Sequence, residues 1–425
     1  MPGLGFRGWW VLGVACLVVM LSNGMTLGGI TVFDPDLLEH LQTGRGDLKL
    51  RDLFQMLTAA AAAPLLGLLA DRVGVRYLMM AGLSALAVGF AGYPFVQSLA
   101  DVYALHVLLG LGLAATGLVL AVSVVSRWFA TRRGFALGLV LAGGSIGNAL
   151  LPPLNSALNA SLGWKNAFFV LAAVPLALLP AVIMLVRERP SDVGQLAFGQ
   201  YATSPIREDD RERTEPRSAA ASPPTFIGAL RTREFACLAV LAFTTFSALV
   251  GLTAHTFLIL KDQGFSDARA AFGLTVLFAF GLVGKLAAGI VSDRTGIKPA
   301  LFACLLIVLT GALLLASVVG TAPWLTLAVL GLGWGGIYTL QQLTAAALFS
   351  GPALGRIVGS LVLVDSVGAA LGPWMLGRAY DAFGTYRPAY MVIIGALSAA
   401  LLAAIALRVP PVHMAIAAMP ETKAP

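Results

Sequence analysis

Charge is scarce in this sequence. Of 425 residues only 12% are Asp, Glu, Lys or Arg, about half the share of a water-soluble domain. A soluble enzyme, a nucleic-acid binder and a secreted domain are excluded on that ground. Cysteine is nearly absent too: Cys16, Cys237 and Cys304 each sit inside an apolar run, so neither a disulfide framework nor a zinc cluster is supported, and the three read as packing residues. No Gly-rich loop ending in Lys-Ser or Lys-Thr occurs, which excludes ATP as an energy source. No nucleophile and base stand out together, and no metal-ligand cluster does. The expectation is a protein that is not an enzyme and needs no cofactor.

What the chain has is apolar length. Residues of the AVILMFWYC set make up 58%, mean hydropathy is +0.86, and the apolar residues gather in runs of about 20, enough to cross ~30 Å of hydrocarbon as a helix. The runs are Trp9 to Thr31, Leu53 to Ala70, Tyr77 to Phe95, Val102 to Val125, Phe135 to Leu158, Ala167 to Val186, Phe235 to Leu260, Ala270 to Val291, Ala300 to Val319, Trp324 to Phe349, Ile357 to Leu376 and Pro388 to Leu407. The first is too long for a signal peptide and lacks a small-residue cleavage site, so it is read as retained. Lys and Arg collect on the side of the two termini, with Arg72, Arg76, Arg127, Arg132, Arg133 and the Arg-rich stretch after Arg187. Lys49, Arg51, Arg45 and Lys261 fall among the fewer on the other side. The positive-inside rule then makes both termini cytoplasmic. The expected fold is an all-α multi-pass membrane protein of twelve helices in the cell membrane. Residues 1–186 form one six-helix half, 187–233 a mostly disordered cytoplasmic linker, 234–408 the second half and 409–425 a cytoplasmic tail.

An internal repeat supports the two halves. Gly67, Asp71, Arg72, Gly74 and Arg76 recur at a constant offset as Gly289, Asp293, Arg294, Gly296 and Lys298. Gly134, Gly138, Ser145, Gly147 and Pro152 recur, at an offset one residue shorter, as Gly355, Gly359, Ser366, Gly368 and Pro373. Parallel halves with a midplane site between them are a transporter pattern.

The block Gly67 to Arg76 and its copy Gly289 to Lys298 resemble the loop motif of the major facilitator superfamily. The stretches Gly8 to Leu21, Arg127 to Gly147, His255 to Ser266 and Tyr380 to Tyr390 narrow the resemblance to monocarboxylate transporters and their bacterial oxalate:formate antiporter-like relatives. The resemblance implies proton-coupled or exchange movement of a small organic anion, a monocarboxylate, across the bilayer. It implies a bacterial inner membrane, and a monomer is compatible with it. A major facilitator exporter of amphiphilic compounds is the alternative, and a non-transporting receptor a remote one.

Within the apolar runs only Lys285 and Asp365 carry full charge, and intramembrane charge is costly enough to mark a site. Both stand ~12–14 Å from the helix ends on the terminal side at 1.5 Å per residue, so they are expected to share one depth. The repeat places Ala63 and Gly144 at the equivalent positions, so the fold itself does not require charge there. In the resembling family an Arg at the position of Lys285 binds the substrate carboxylate; Lys is a departure that keeps a point charge but loses the planar clamp. A pair is expected in which Lys285 receives the carboxylate, while Asp365 holds Lys285 when the site is empty and accepts the co-transported proton when substrate displaces it. His255 is assigned to proton coupling or to gating on the outer side, with His106 less supported. Tyr338, Gln341 and Gln342 share a helix face and, with Asn23 and Thr116, are the expected polar lining of the path. Asp71, Arg72, Asp293 and Arg294 are expected to clamp the cytoplasmic face. The glycines and prolines around Gly143 to Pro153 and Gly368 to Pro373 are expected to serve packing and bending.

Overall fold

The structure is a computed structural model describing residues 6–199, 226–318, 322–349 and 353–408. It is all-helical, with twelve helices long and apolar enough to cross a membrane. These are α1 (Gly8–Leu41), α2 (Arg45–Val73), α3 (Val75–Phe95), α4 (Leu99–Trp128), α5 (Arg133–Leu162), α6 (Trp164–Leu185), α7 (Arg233–Asp262), α8 (Asp267–Thr295), α9 (Ile297–Ser317), α10 (Pro323–Leu348), α11 (Leu354–Phe383) and α12 (Arg387–Ala406). The face bearing the start of α1 and the end of α12 is termed the terminal face, and the other the opposite face.

Small residues bring the helices together in the same way twice. Gly143 and Gly147 of α5 lie against the carbonyls of Cys16 and Met20 on α1, and a Cβ on Gly24 would stand 2.6 Å from the Gly147 carbonyl. In the second half Gly368 and Gly372 of α11 lie against Phe243 and Ser247 on α7, and Gly251 meets Gly372. The packing role expected of these glycines is what they perform, since a side chain at any of them would force the backbones apart.

Helix α1 pays for its close fit with irregular winding. It is α-helical over Gly8–Asn23, π over Gly24–Gly28, 3₁₀ over Gly29–Phe33 and α-helical again over Asp34–Leu41. Backbone groups freed by such a change need partners in a membrane. Helix α5 supplies them: Asn148 Oδ1 accepts from Gly28 N at 2.9 Å, and Asn155 Nδ2 donates to the Gly29 carbonyl at 2.9 Å.

The two sets of six helices meet along two seams, α2 against α11 and α5 against α8. On the opposite face the seams are pressed shut. Gly377 of α11 abuts Gly46 of α2, where an added Cβ would stand 2.6 Å from the Gly46 Cα. Toward the terminal face the same helices diverge. Gly67, Gly134, Gly138, Gly289, Gly355 and Gly359 have nothing within 4 Å of where a Cβ would sit.

One expectation is corrected. Helix α2 begins at Arg45, two turns before Leu53, so Lys49, Arg51 and Asp52 lie inside a spanning helix and not in a loop. Lys49 and Arg51 are 0% exposed and both pair with Asp34 of α1, also 0% exposed. Lys285 and Asp365 are therefore not the only charges within the spans. The first part of the linker packs on the first half. A 3₁₀ turn, Pro190–Val193, leads to Phe198, whose N–H donates to the Trp128 carbonyl at 2.8 Å and whose carbonyl accepts from Thr131 N at 2.9 Å. Its ring packs 5.7 Å from Phe6 and 5.6 Å from Trp9. Residues 200–225 of the linker and the tail 409–425 lie outside the described residues. The short helix Phe226–Leu230 precedes α7.

Candidate functional site

Lys285 lies in α8 where it crosses α5. Its Nζ donates to Ser145 Oγ at 3.2 Å, and among the described residues no carboxylate lies within ion-pair distance of it. Ser145 belongs to the duplicated block Gly134 to Pro152, so this contact between halves is made by a residue the repeat singles out. Asn23 of α1 stands beside it, with Cγ 3.8 Å from where a Gly144 Cβ would be, while its Nδ2 donates to its own helix at Val19 O.

Asp365 is on α11, 3% exposed. Gln341 Nε2 on α10 donates to both its oxygens, at 2.9 and 3.1 Å. Gln341 Oε1 and both terminal atoms of Gln342 are buried without a hydrogen-bond partner. Tyr338, one turn away, sets its ring edge-on to Phe246 of α7 at 5.9 Å. The structure thus brings Asp365 and Gln341 together but does not form the expected Lys285–Asp365 pair. The physical reason is the seam each occupies: Lys285 turns to α5 and Asp365 to α10. Each of the two charges is held by one neutral side chain.

His255 of α7 is fully buried and bonded at both nitrogens, to Tyr386 Oη at 2.8 Å and to the Pro373 carbonyl at 2.8 Å. A carbonyl can only accept, so Nε2 carries a proton, and Nδ1 of the neutral ring accepts from the Tyr386 hydroxyl. Burial holds the Tyr386 phenol above its ordinary pKa, which keeps that O–H intact. Tyr386 Oη in turn accepts from Arg45 Nη1 at 2.9 Å. A directed chain runs Arg45, Tyr386, His255, Pro373.

Arg45 opens the clamp that closes the opposite face. It pairs with Asp262 of α7, lies 3.7 Å from the centre of the Tyr380 ring, and its N–H donates to Asp381 at 2.8 Å. Gly46 N also donates to Asp381 at 2.7 Å, and Arg378 reaches Asp47 at 3.6 Å. The sequence reading gave none of these residues a role in gating, although Tyr380, Asp381 and Tyr386 lie within one of the stretches that carry the family resemblance. Thr116 is not part of the site. It is fully buried, its hydroxyl donates to Gly112 O, and its methyl group faces Gly82 of α3. His106 is likewise buried inside the first half, bonded to Tyr93 Oη at 2.9 Å.

On the terminal face Asp71 pairs with Arg127 of its own half at 3.2 Å, and Arg127 also reaches Glu188 at 3.4 Å. Arg72, Asp293 and Arg294 are exposed. Between the two halves, Thr275 Oγ1 donates to the Ala149 carbonyl at 2.7 Å. Among the described residues, no hydrogen bond or ion pair joins spanning helices of the two halves on the terminal side of Lys285 and Ser145. The conformation is shut on the opposite face and parted toward the terminal one.

Two six-helix bundles, seamed at α2–α11 and α5–α8, shut at one face and parted toward the other, are the architecture of a secondary transporter. The chain belongs to the major facilitator superfamily, whose sequence profile matches residues 14–373. It is a multi-pass membrane transporter, not an enzyme. It is similar to monocarboxylate transporter 2 of Homo sapiens, 25% identical over 408 residues covering 92% of this chain and 83% of that protein. Monocarboxylate transporter 11 of Mus musculus is 28% identical over 419 residues, covering 92% and 85%. A crystal structure of the nucleoside transporter NupG aligns with a TM-score of 0.75 over 94% of this chain and 99% of that one, at 12% identity. That likeness speaks to the fold alone.

Proposed function

We propose that this transporter moves a small organic monocarboxylate by alternating access, with Lys285 receiving the carboxylate and Asp365 the co-transported proton. The observation that carries the reading is the partnering of Lys285. An ammonium in the middle of a spanning helix, bonded to a serine hydroxyl and with no carboxylate within ion-pair distance among the described residues, is an uncompensated cation, and a small anion is the ligand that compensates it. Relatives named monocarboxylate transporters over 92% of this chain support the same ligand class. Asp365, held among the described residues by Gln341, is the complementary group: a carboxylate with no cation beside it is one that a co-transported proton neutralises. Anion at Lys285 and proton at Asp365 then neutralise the path together, and the halves rock only when both are loaded or both absent. The termini face the cytoplasm on this reading, so the parted terminal face opens inward.

The test is radiolabelled flux in proteoliposomes with lactate, pyruvate and acetate as probes. Lys285→Ala abolishes uptake, and Lys285→Arg retains it because the charge is kept. Asp365→Asn keeps exchange but loses uphill accumulation under a pH gradient. A Lys285→Ala variant that transports like the wild type overturns the reading.

A further inference from the structure

Deeper into the protein than the clamp, four charges stand together that the mechanism above does not use. Lys49 and Arg51 of α2 and Asp34 of α1 are fully buried, and the Asp52 side chain is 15% exposed. Asp34 takes Lys49 Nζ at 2.6 Å and also Arg51 Nη2. Asp52 stands off, 3.9 Å from Lys49 and 3.6 Å from Arg51 Nε. Arg51 Nη1 and Nε make no hydrogen bond among the described residues. A purely structural cluster saturates its donors, because a buried donor left unmade costs about 1–3 kcal/mol. The fold does not ask for these charges either. The motif that α2 shares with α8 sets Lys49, Arg51 and Asp52 against Ala271, Gly273 and Leu274, all buried and uncharged.

The position is as telling as the chemistry. Lys49 lies one turn beyond Gly46 on the same side of α2, and Gly46 touches Gly377 and Arg378 of α11. Arg51 is roughly 9 Å along α2 from Arg45, whereas Lys285 is roughly 27 Å along α8 from the same face. The two places are distinct in depth.

We propose that Lys49 and Arg51 form a second carboxylate-binding station, separate from Lys285, that takes the substrate anion from the opposite face when the Arg45–Asp262 clamp parts. The proposal rests on the monocarboxylate reading of the transporter. The carboxylate accepts from the guanidinium and ammonium donors that Asp34 leaves over. Asp52, the member with the longest contacts and the exposed surface, gives way and turns to the water that enters between α2 and α11. Asp34 stays as the fixed counter-ion. From this station the anion passes to Lys285 once the opposite face shuts behind it.

Flux of labelled lactate in right-side-out and in inverted membrane vesicles separates the two stations, since half-saturation is then read from each face. Asp52→Asn removes the competing carboxylate and lowers half-saturation at the opposite face about threefold; Arg51→Gln raises it about tenfold. Neither moves half-saturation at the terminal face by more than about twofold, whereas Lys285→Ala stops flux from both. If Arg51→Gln fails to fold, the isosteric Asp52→Asn decides by the sign of its shift. An Asp52→Asn variant with unchanged or raised half-saturation at the opposite face, or with equal shifts at both faces, overturns the station and leaves Lys285 untouched. A wild-type protein that moves none of lactate, pyruvate and acetate overturns the monocarboxylate reading, and the station with it.

Discussion

The guanidinium of Arg45 and the carboxylate of Asp262 face each other as a two-point pair, Nη1 to Oδ2 and Nη2 to Oδ1, both at 2.7 Å. They belong to different halves of the molecule, and this planar match is the strongest polar contact between them on the opposite face. Arg45→Gln removes it together with the bond to Tyr386. The partly exposed setting makes the loss about 1–2 kcal/mol, a five- to thirtyfold shift toward the conformer open on that face. Spin labels at the exposed positions Gln42 and Thr385 check this: the population of long inter-label distances grows in Arg45→Gln. Unaltered distances count against the clamp.

Glycines at the two faces predict opposite effects of one kind of substitution. Gly377→Val drives a side chain into the Gly46 backbone and destabilises the present conformer. Gly67→Val meets nothing within 4 Å, so it leaves the present conformer intact and obstructs the closing of the terminal face. Transport falls at least tenfold in Gly67→Val with Tm unchanged within a few degrees, because one state is blocked and the other is not strained. Equal loss of Tm in both variants contradicts this assignment of the faces.

Asp71 is free to change partners, since its pair with Arg127 is exposed on the Asp71 side, at 77%. As part of the duplicated loop it is placed to engage the second half when the terminal face shuts. Asp71→Asn slows transport severalfold while half-saturation stays within about threefold, because conformer populations shift and the site does not. A normal rate at equal expression argues against a gating role.

His255 is sealed in this conformer, with Tyr386 bonded to its ring and Arg45 bonded to Tyr386. Parting the clamp uncovers the ring, so acid on the opposite face reaches it in the open state alone. His255→Gln flattens the pH profile measured from the opposite face between ~5.5 and ~7.5. Tyr386→Phe keeps the imidazole and so keeps the pH response while weakening the clamp. Superimposable wild-type and His255→Gln profiles would make the residue purely structural.

How much of this was readable beforehand differs from residue to residue. Lys285 and Asp365 stand alone among apolar neighbours, and any charge in such a place is conspicuous. Lys49 and Arg51 are fully buried, yet with Asp52 they crowd the start of a helix beside Arg45, where a hydropathy window reads them as loop. Asp34, which pairs with Lys49 and Arg51, lies on the previous helix, and pairing between helices leaves no local trace. The depth of Lys285 and Asp365 followed from residue counts. Their failure to pair did not, because sequence spacing says nothing about which seam a side chain turns to. Phe198 carried a faint signal as an aromatic residue beside Leu196 in an otherwise polar stretch. Its anchoring depends on Phe6, Trp9 and Phe129, which only the fold assembles.

The two asparagines of α5 that complete the irregular turns of α1 have a mechanical consequence. Any sliding of α1 along α5 strands Gly28 N–H and the Gly29 carbonyl inside the bilayer, at several kcal/mol apiece. The pair therefore travels as one beam. Motion in the first half is delivered as a tilt of that beam, and the serine that holds Lys285 is carried on it, so the grip on the cation is set by the angle of the beam and not by any bending within it.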